Sequence, residues 1–200
     1  MIPTVTALRR HRSGRVTVEI DGRPWRVVPD EVVLRCGLAA GVPLERPLLR
    51  RLRRELRRAE ALDAATRVLS RHDVSRRRLD DRLAARGATR AEREQAVATL
   101  EAAGLVDDGR LARVRARALA ERGWGDVAIQ TRLSGEGIDP ELVRAALAEL
   151  APERERAAAL AARQTDRRRA WNFLVRRGFG PDAVEYALGP LDEETEGRLG

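Results

Sequence analysis

The chain has 200 residues, 43% hydrophobic and 35% charged, with 39 basic against 31 acidic side chains and a net charge of +8. Its apolar content is 32 Ala, 25 Leu and 17 Val against 4 Ile and 3% aromatics, which disfavours a β-sandwich or large parallel sheet and favours helices, where Ala, Leu, Arg and Glu lose little rotamer freedom. A single cysteine, Cys36, excludes an intramolecular disulfide and a Cys-rich metal site, and with no long apolar run and no hydrophobic signal segment a cytoplasmic protein is expected.

All the cations are Arg and Lys is absent. A GC-rich coding bias accounts for this and weakens each Arg as evidence of a specific contact. The surplus is uneven, +7 over residues 1–60, +1 over 61–150 and zero over 151–200. Such positive charge argues for a polyanionic or acidic partner.

Residues 15–28 read as a β-hairpin. Arg15-Val16-Thr17-Val18-Glu19-Ile20 alternates apolar and polar, Asp21-Gly22 favours a tight turn, and Arg23-Pro24-Trp25-Arg26-Val27-Val28 returns. Two strands are marginal alone, so something must cover Trp25 and the Val face. A short helix from Glu31 to about Leu38 can do so with Val32, Val33 and Cys36. Cys36 is a reactive thiol or a small buried hydrophobe, and the apolar setting favours the second. Beyond Gly41-Val42-Pro43 the chain reads as helical nearly to its end. Leu49, Leu52, Leu56, Ala59 and Leu62 form one stripe, with Arg50, Arg51, Arg53, Arg54, Arg57 and Arg58 on the remaining surface.

Residues 69–100, 119–150 and 160–191 fall into register as a threefold repeat. Leu69, Leu119 and Leu160 coincide, as do Leu79, Ile129 and Ala170, then Leu83, Leu133 and Leu174. Gly87, Gly137 and Gly178 align where a helix ends, and Val97, Leu147, Leu188 and Leu100, Leu150, Leu191 follow. Ser75, Gly125 and Asp166 align as N-caps, and so do Thr89, Asp139 and Gly180, with Pro140 and Pro181 at the first helical position. Three trios of short helices result, over 61–72, 76–86, 90–103, then 109–122, 126–136, 140–151, then 153–164, 167–177, 181–189. The expected fold is mainly α, an elongated, curved array of three tandem three-helix repeats behind a small β-hairpin region. Expected divisions are 1–43 (hairpin and short helix), 44–104 (basic helix and repeat 1), 105–151 (repeat 2), 152–191 (repeat 3) and 192–200 (acidic tail).

No catalytic constellation emerges. His11 and His72 have no second ligand nearby, and Gly123-Trp124-Gly125 lacks the rest of a phosphate loop. Asp107-Asp108 reads as a divalent-metal pair or as a helix cap, and the apolar helical pattern that follows favours the cap. No enzyme activity, metal or cofactor is expected. The candidate binding residues are arginines, which pair bidentately with phosphate or carboxylate. They are Arg50, Arg51, Arg54, Arg57 and Arg58, then Arg76, Arg77 and Arg82, then Arg113 and Arg117 (with Arg115 between them), and finally Arg167, Arg168, Arg176 and Arg177. Each group is a contact surface or a solvated helix face. Trp171, Phe173 and Phe179 stack on bases or pack a small core, the core being favoured, and Trp124 is a staple or an exposed anchor.

The segment Gly104-Leu105-Val106-Asp107-Asp108-Gly109-Arg110-Leu111-Ala112, followed by Gly123, Gly125 and Gly137-Ile138, resembles the RecX family of bacterial recombination regulators. The resemblance spans about 60–191. It departs at Leu111, where the family usually has an aromatic, and at Arg78, where an acid commonly stands. It implies a non-enzymatic, monomeric partner of the RecA recombinase. Such a protein lies in the groove of the RecA–DNA filament, contacts single- or double-stranded DNA there, and lowers ATPase, strand-exchange and coprotease activity in DNA repair and the SOS response. The alternative is a general helical-repeat nucleic-acid-binding protein indifferent to RecA.

Overall fold

The computed structural model describes residues 2–190, so Leu191 of the repeat and the acidic tail 192–200 lie outside the described residues. Three strands come first, Val5–Arg10 (β1), Arg15–Ile20 (β2) and Arg23–Pro29 (β3), in one antiparallel sheet of order β1-β2-β3. The expected hairpin is β2 and β3, turned at Asp21 and Gly22, both at positive φ. The sheet corrects the two-strand expectation. No strand is expected before Arg15, yet β1 pairs along β2 and buries Val5 completely.

A second correction concerns Trp25. The register slips between Val18 and Glu19, leaving Trp25 without an opposite residue on β2. Side chains alternate along a strand. With Val28 on the covered face, Trp25 and Val27 stand on the open one, 44% and 45% exposed. The covered face is Val16, Val18 and Val28.

Helices Asp30–Cys36 (α1) and Arg46–Leu69 (α2) close that face, and Val32, Val33, Cys36, Leu52 and Leu56 join the core. Cys36 is buried. Desolvation, then the charge of Glu55, pushes its thiol above the ordinary value against the opposing pull of Arg51 and Arg54, so it is a packing residue. The sequence reading starts a new helix at residue 61, but α2 is continuous. No Gly or Pro stands between Leu48 and Leu69 to end it.

The remaining helices are Arg76–Ala84 (α3), Arg90–Ala102 (α4), Asp108–Glu121 (α5), Asp126–Gly135 (α6), Pro140–Ala148 (α7), Glu153–Ala161 (α8), Arg167–Arg176 (α9) and Pro181–Leu188 (α10). Their starts follow the cap residues. Asp107 accepts from the Arg110 N–H, Asp139 from Glu141 and Asp166 from Arg169. Mainly helical chain with one small antiparallel sheet is thus the observed class.

Glu92 closes the start of α4. Its carboxylate accepts from the Thr89 N–H at 2.8 Å and pairs with Arg57 at 2.9 Å. Burial pushes the carboxyl up, but the Thr89 hydrogen bonds and the Arg57 guanidinium outweigh it and hold it below its usual 4.5. A carboxyl lowered in the folded state stabilises above its unfolded value and loses that contribution as pH falls through the folded one. Urea midpoints of the native protein should therefore fall more steeply below pH 4.5 than those of Glu92→Gln. Parallel pH profiles would remove this role.

The chain divides into two compact units, one of residues up to His72 with Leu79–Ala103, the other of Asp73–Arg78 with Gly104 onward. In the second, α5, α6 and α7 enclose Leu111, Ala112, Ala116, Ile129, Leu133, Ile138, Val143 and Ala146. Helices α8, α9 and α10 enclose Ala157, Ala161, Leu174, Phe179, Ala183 and Val184, with Trp171 and Phe173 packed alongside. These aromatics are core, as the favoured reading expects.

Within this second unit the contacts between successive trios recur. Ser75 donates its hydroxyl to the Glu136 carbonyl at 2.5 Å. At the equivalent place one repeat on, the Gly125 N–H donates to the Arg177 carbonyl at 2.9 Å and Val127 to Gly178 at 3.1 Å. An arginine braces each junction. Arg115 reaches the Glu136 carboxylate at 2.5 Å and the Asp73 carbonyl at 2.9 Å. Its repeat equivalent, Arg156, reaches the Asp126 carboxylate and the Trp124 carbonyl. The approach is close. A Cβ on Gly125 would lie 2.3 Å from the Gly178 oxygen, and one on Gly137 would strike the Arg77 stem.

Candidate partner-binding surface

In the first unit the leading basic feature is the outer surface of α2. A helix turns 100° per residue, so Arg46, Arg50, Arg53 and Arg57 form one row and Arg51, Arg54 and Arg58 a second. The second row surrounds Glu55, a buried carboxylate (7% exposed) reached by Arg58 at 3.2 Å, Arg54 at 3.6 Å and Arg35 of α1 at 3.7 Å. A buried carboxylate needs such compensation, so Arg54 and Arg58 are partly consumed by the fold. Arg57 is likewise engaged with Glu92. Arg50, Arg51 and Arg53 are exposed and form no ion pair among the described residues.

Arg82 of α3 meets the His72 ring at 3.2 Å beside an open depression of 710 Å³ in the same unit. Arg67, Arg71 and Arg86 line it too. None of these three belongs to an Arg run, which is why sequence reading passed over them. Two helix ends bring them together.

The other candidates lie in the second unit. Arg76 starts α3, its N–H held by the Asp108 carboxylate at 2.8 Å, and the Arg77 stem crosses Gly137. The Asp pair is therefore two caps, Asp107 on α5 and Asp108 on α3, and no group of three metal-ligating side chains occurs among the described residues. Arg113 and Arg117 are exposed on α5, beside Arg110 and the exposed Val114. Arg115, between them, belongs to the junction. Arg168 and Arg176 are exposed on α9, while Arg167 reaches the Pro190 carbonyl. Arg177 is half-buried. It stacks on Trp124 at 4.7 Å and Phe173 at 5.2 Å, and Arg132 lies over the Trp124 ring at 3.8 Å. Trp124 is thus packed against the α5–α7 core between guanidiniums rather than presented as an anchor.

The motif positions are chiefly architectural. Ala112 and Ile138 are buried, Asp107 and Asp108 cap helices, and Gly123, Gly125 and Gly137 stand at turns or close approaches. Gly104 and Leu105 lie in the exposed turn before Val106, Leu105 being 50% exposed. No helix among the described residues is long and apolar enough to cross a membrane.

Comparison with known proteins fits this geometry. The family model described as RecX, second three-helix domain, matches residues 107–147, which run from the cap of α5 into α7. The regulatory protein RecX of Halorhodospira halophila is 35% identical over 144 residues, covering 67% of this chain and 89% of that protein. The regulatory protein RecX of Chromohalobacter salexigens is 35% identical over 142 residues, 66% of this chain and 93% of that protein. A crystal structure of regulatory protein RecX shares the fold, with a TM-score of 0.79 over 93% of this chain and 98% of its own at 21% identity. With relatives of that identity matched over most of their length, the chain belongs to the RecX family of regulatory proteins.

Proposed function

We propose that the protein binds the RecA–DNA filament in the cytoplasm and restrains RecA's recombinase, ATPase and coprotease activities in DNA repair and the SOS response. Membership of a family of regulatory proteins supports a macromolecular partner, which this reading takes to be RecA. The observation that carries the physical reading is the α2 surface, where Arg50, Arg51 and Arg53 stand exposed and unpaired while neighbouring arginines are tied to buried carboxylates. Several weak contacts along a polymer add through effective concentration. Occupying a filament groove in this way slows subunit turnover and competes with DNA strands.

The test is RecA ATPase on single-stranded DNA with stoichiometric protein. Inhibition is expected, and an unchanged rate would remove the reading. Reversing Arg50 and Arg53 to Glu should weaken cosedimentation with RecA filaments about tenfold with helicity unchanged. Arg54 and Arg57 are poor positions for this experiment, since a glutamate there would face buried Glu55 or Glu92. The second reading, a general nucleic-acid binder, rests on the net charge of +8. It requires bare DNA to bind as tightly as filaments at equal salt.

A further inference from the structure

We infer that the depression between the ends of α2 and α3 is a binding site for the phosphodiester backbone of a nucleic acid. Arg67, Arg71, Arg82, Arg86 and His72 line its 710 Å³, above an aliphatic floor that includes Val68, and no carboxylate lines it. None of the four arginines has a carboxylate partner among the described residues. The side chains are nonetheless oriented. Arg67 donates through Nε to the Asp63 carbonyl at 3.1 Å, Arg86 to the Arg82 carbonyl at 3.4 Å, and Arg82 meets His72 at 3.2 Å.

Helix C-termini attract cations, and that explains one arginine at each end. Two helix ends together carry only about one negative charge equivalent, whereas four guanidiniums converge here. The excess positive charge is repulsive until an anion enters. The volume far exceeds one phosphate group and suits several along a chain. The lining has no Phe, Tyr or Trp, and its one ring, His72, is engaged by Arg82 at 3.2 Å, so charge rather than base stacking dominates the site. It therefore holds backbone phosphates and is indifferent to sequence. The site involves no recombinase, so it stands or falls separately from the filament reading.

The experiment is fluorescence anisotropy of a labelled, mixed-sequence single-stranded oligonucleotide against the full chain, without RecA, over a salt series. Arg71→Gln with Arg86→Gln alters two exposed side chains and should leave the thermal midpoint unchanged. Affinity should fall about tenfold, and the slope of log K against log salt should become shallower by about 1.4, two single-strand phosphate contacts. Unaltered affinity and slope would overturn the assignment. Two measurements on the unmodified protein test it independently of any variant. An oligonucleotide with an uncharged methylphosphonate backbone should bind far more weakly. Equal binding, or displacement of DNA by poly-glutamate at the same charge concentration, would overturn the assignment, the second by marking the groove as a site for an acidic protein.

Discussion

Gly125→Ala should destabilise the protein by about 3–5 kcal/mol, more than its chemistry suggests. Gly125 has an ordinary φ of −80°, so an alanine there meets no backbone strain. The obstacle is another stretch of main chain. The new methyl would sit 2.3 Å from the Gly178 oxygen and the Phe179 nitrogen, and neither can move aside as a flexible side chain would. The start of α6 must retreat, which breaks the Gly125–Arg177 and Val127–Gly178 hydrogen bonds. Overpacking costs about 1–3 kcal/mol and each lost bond about 1 kcal/mol. Gly135→Ala in the same helix is the control. Nothing lies within 4 Å of its added carbon, and helix propensity makes the change neutral or stabilising by up to about 1 kcal/mol. Equal urea midpoints for the two variants would refute the close crossing.

Leu133→Ala should cost about 2–5 kcal/mol. Leu133 has no exposed surface and lies among Ile129, Ile138, Val143 and three alanines. Alanines have no rotamers with which to fill the void, so the site collapses poorly and the upper half of the range is expected. Leu142→Ala, on the outer side of α7 and 36% exposed, should change stability by no more than about 0.5 kcal/mol. A tolerated Leu133→Ala would move the core elsewhere.

What could be read from the sequence was local. Ser75, Thr89, Asp107, Asp139 and Asp166 cap helices because a cap acts on amides two or three residues away. The repeat placed Leu79, Leu83, Ile129, Leu133, Ala170 and Leu174, all buried. What stayed hidden depends on distant partners. Nothing near Arg115 or Arg156 announces that each reaches across to the preceding trio. The same holds for the groove arginines, spaced four apart on two separate segments. Trp25 was misplaced because one slipped residue in β3 reverses which side chains face inward. Of the basic candidates, sequence distinguished poorly between Arg50, which is free of acids, and Arg177, which is committed to two aromatic rings.

The start of α6 borrows its acceptors. Gly125 has no side chain to cap with, and the first three amides of that turn are met by Arg177, Glu153 and Gly178 from the following trio. On a ribosome this sets an order of events. The middle trio, complete at Ala148, emerges before the last one with these amides bound only to water, and it acquires its final rigidity only when thirty further residues, to Gly178, have followed.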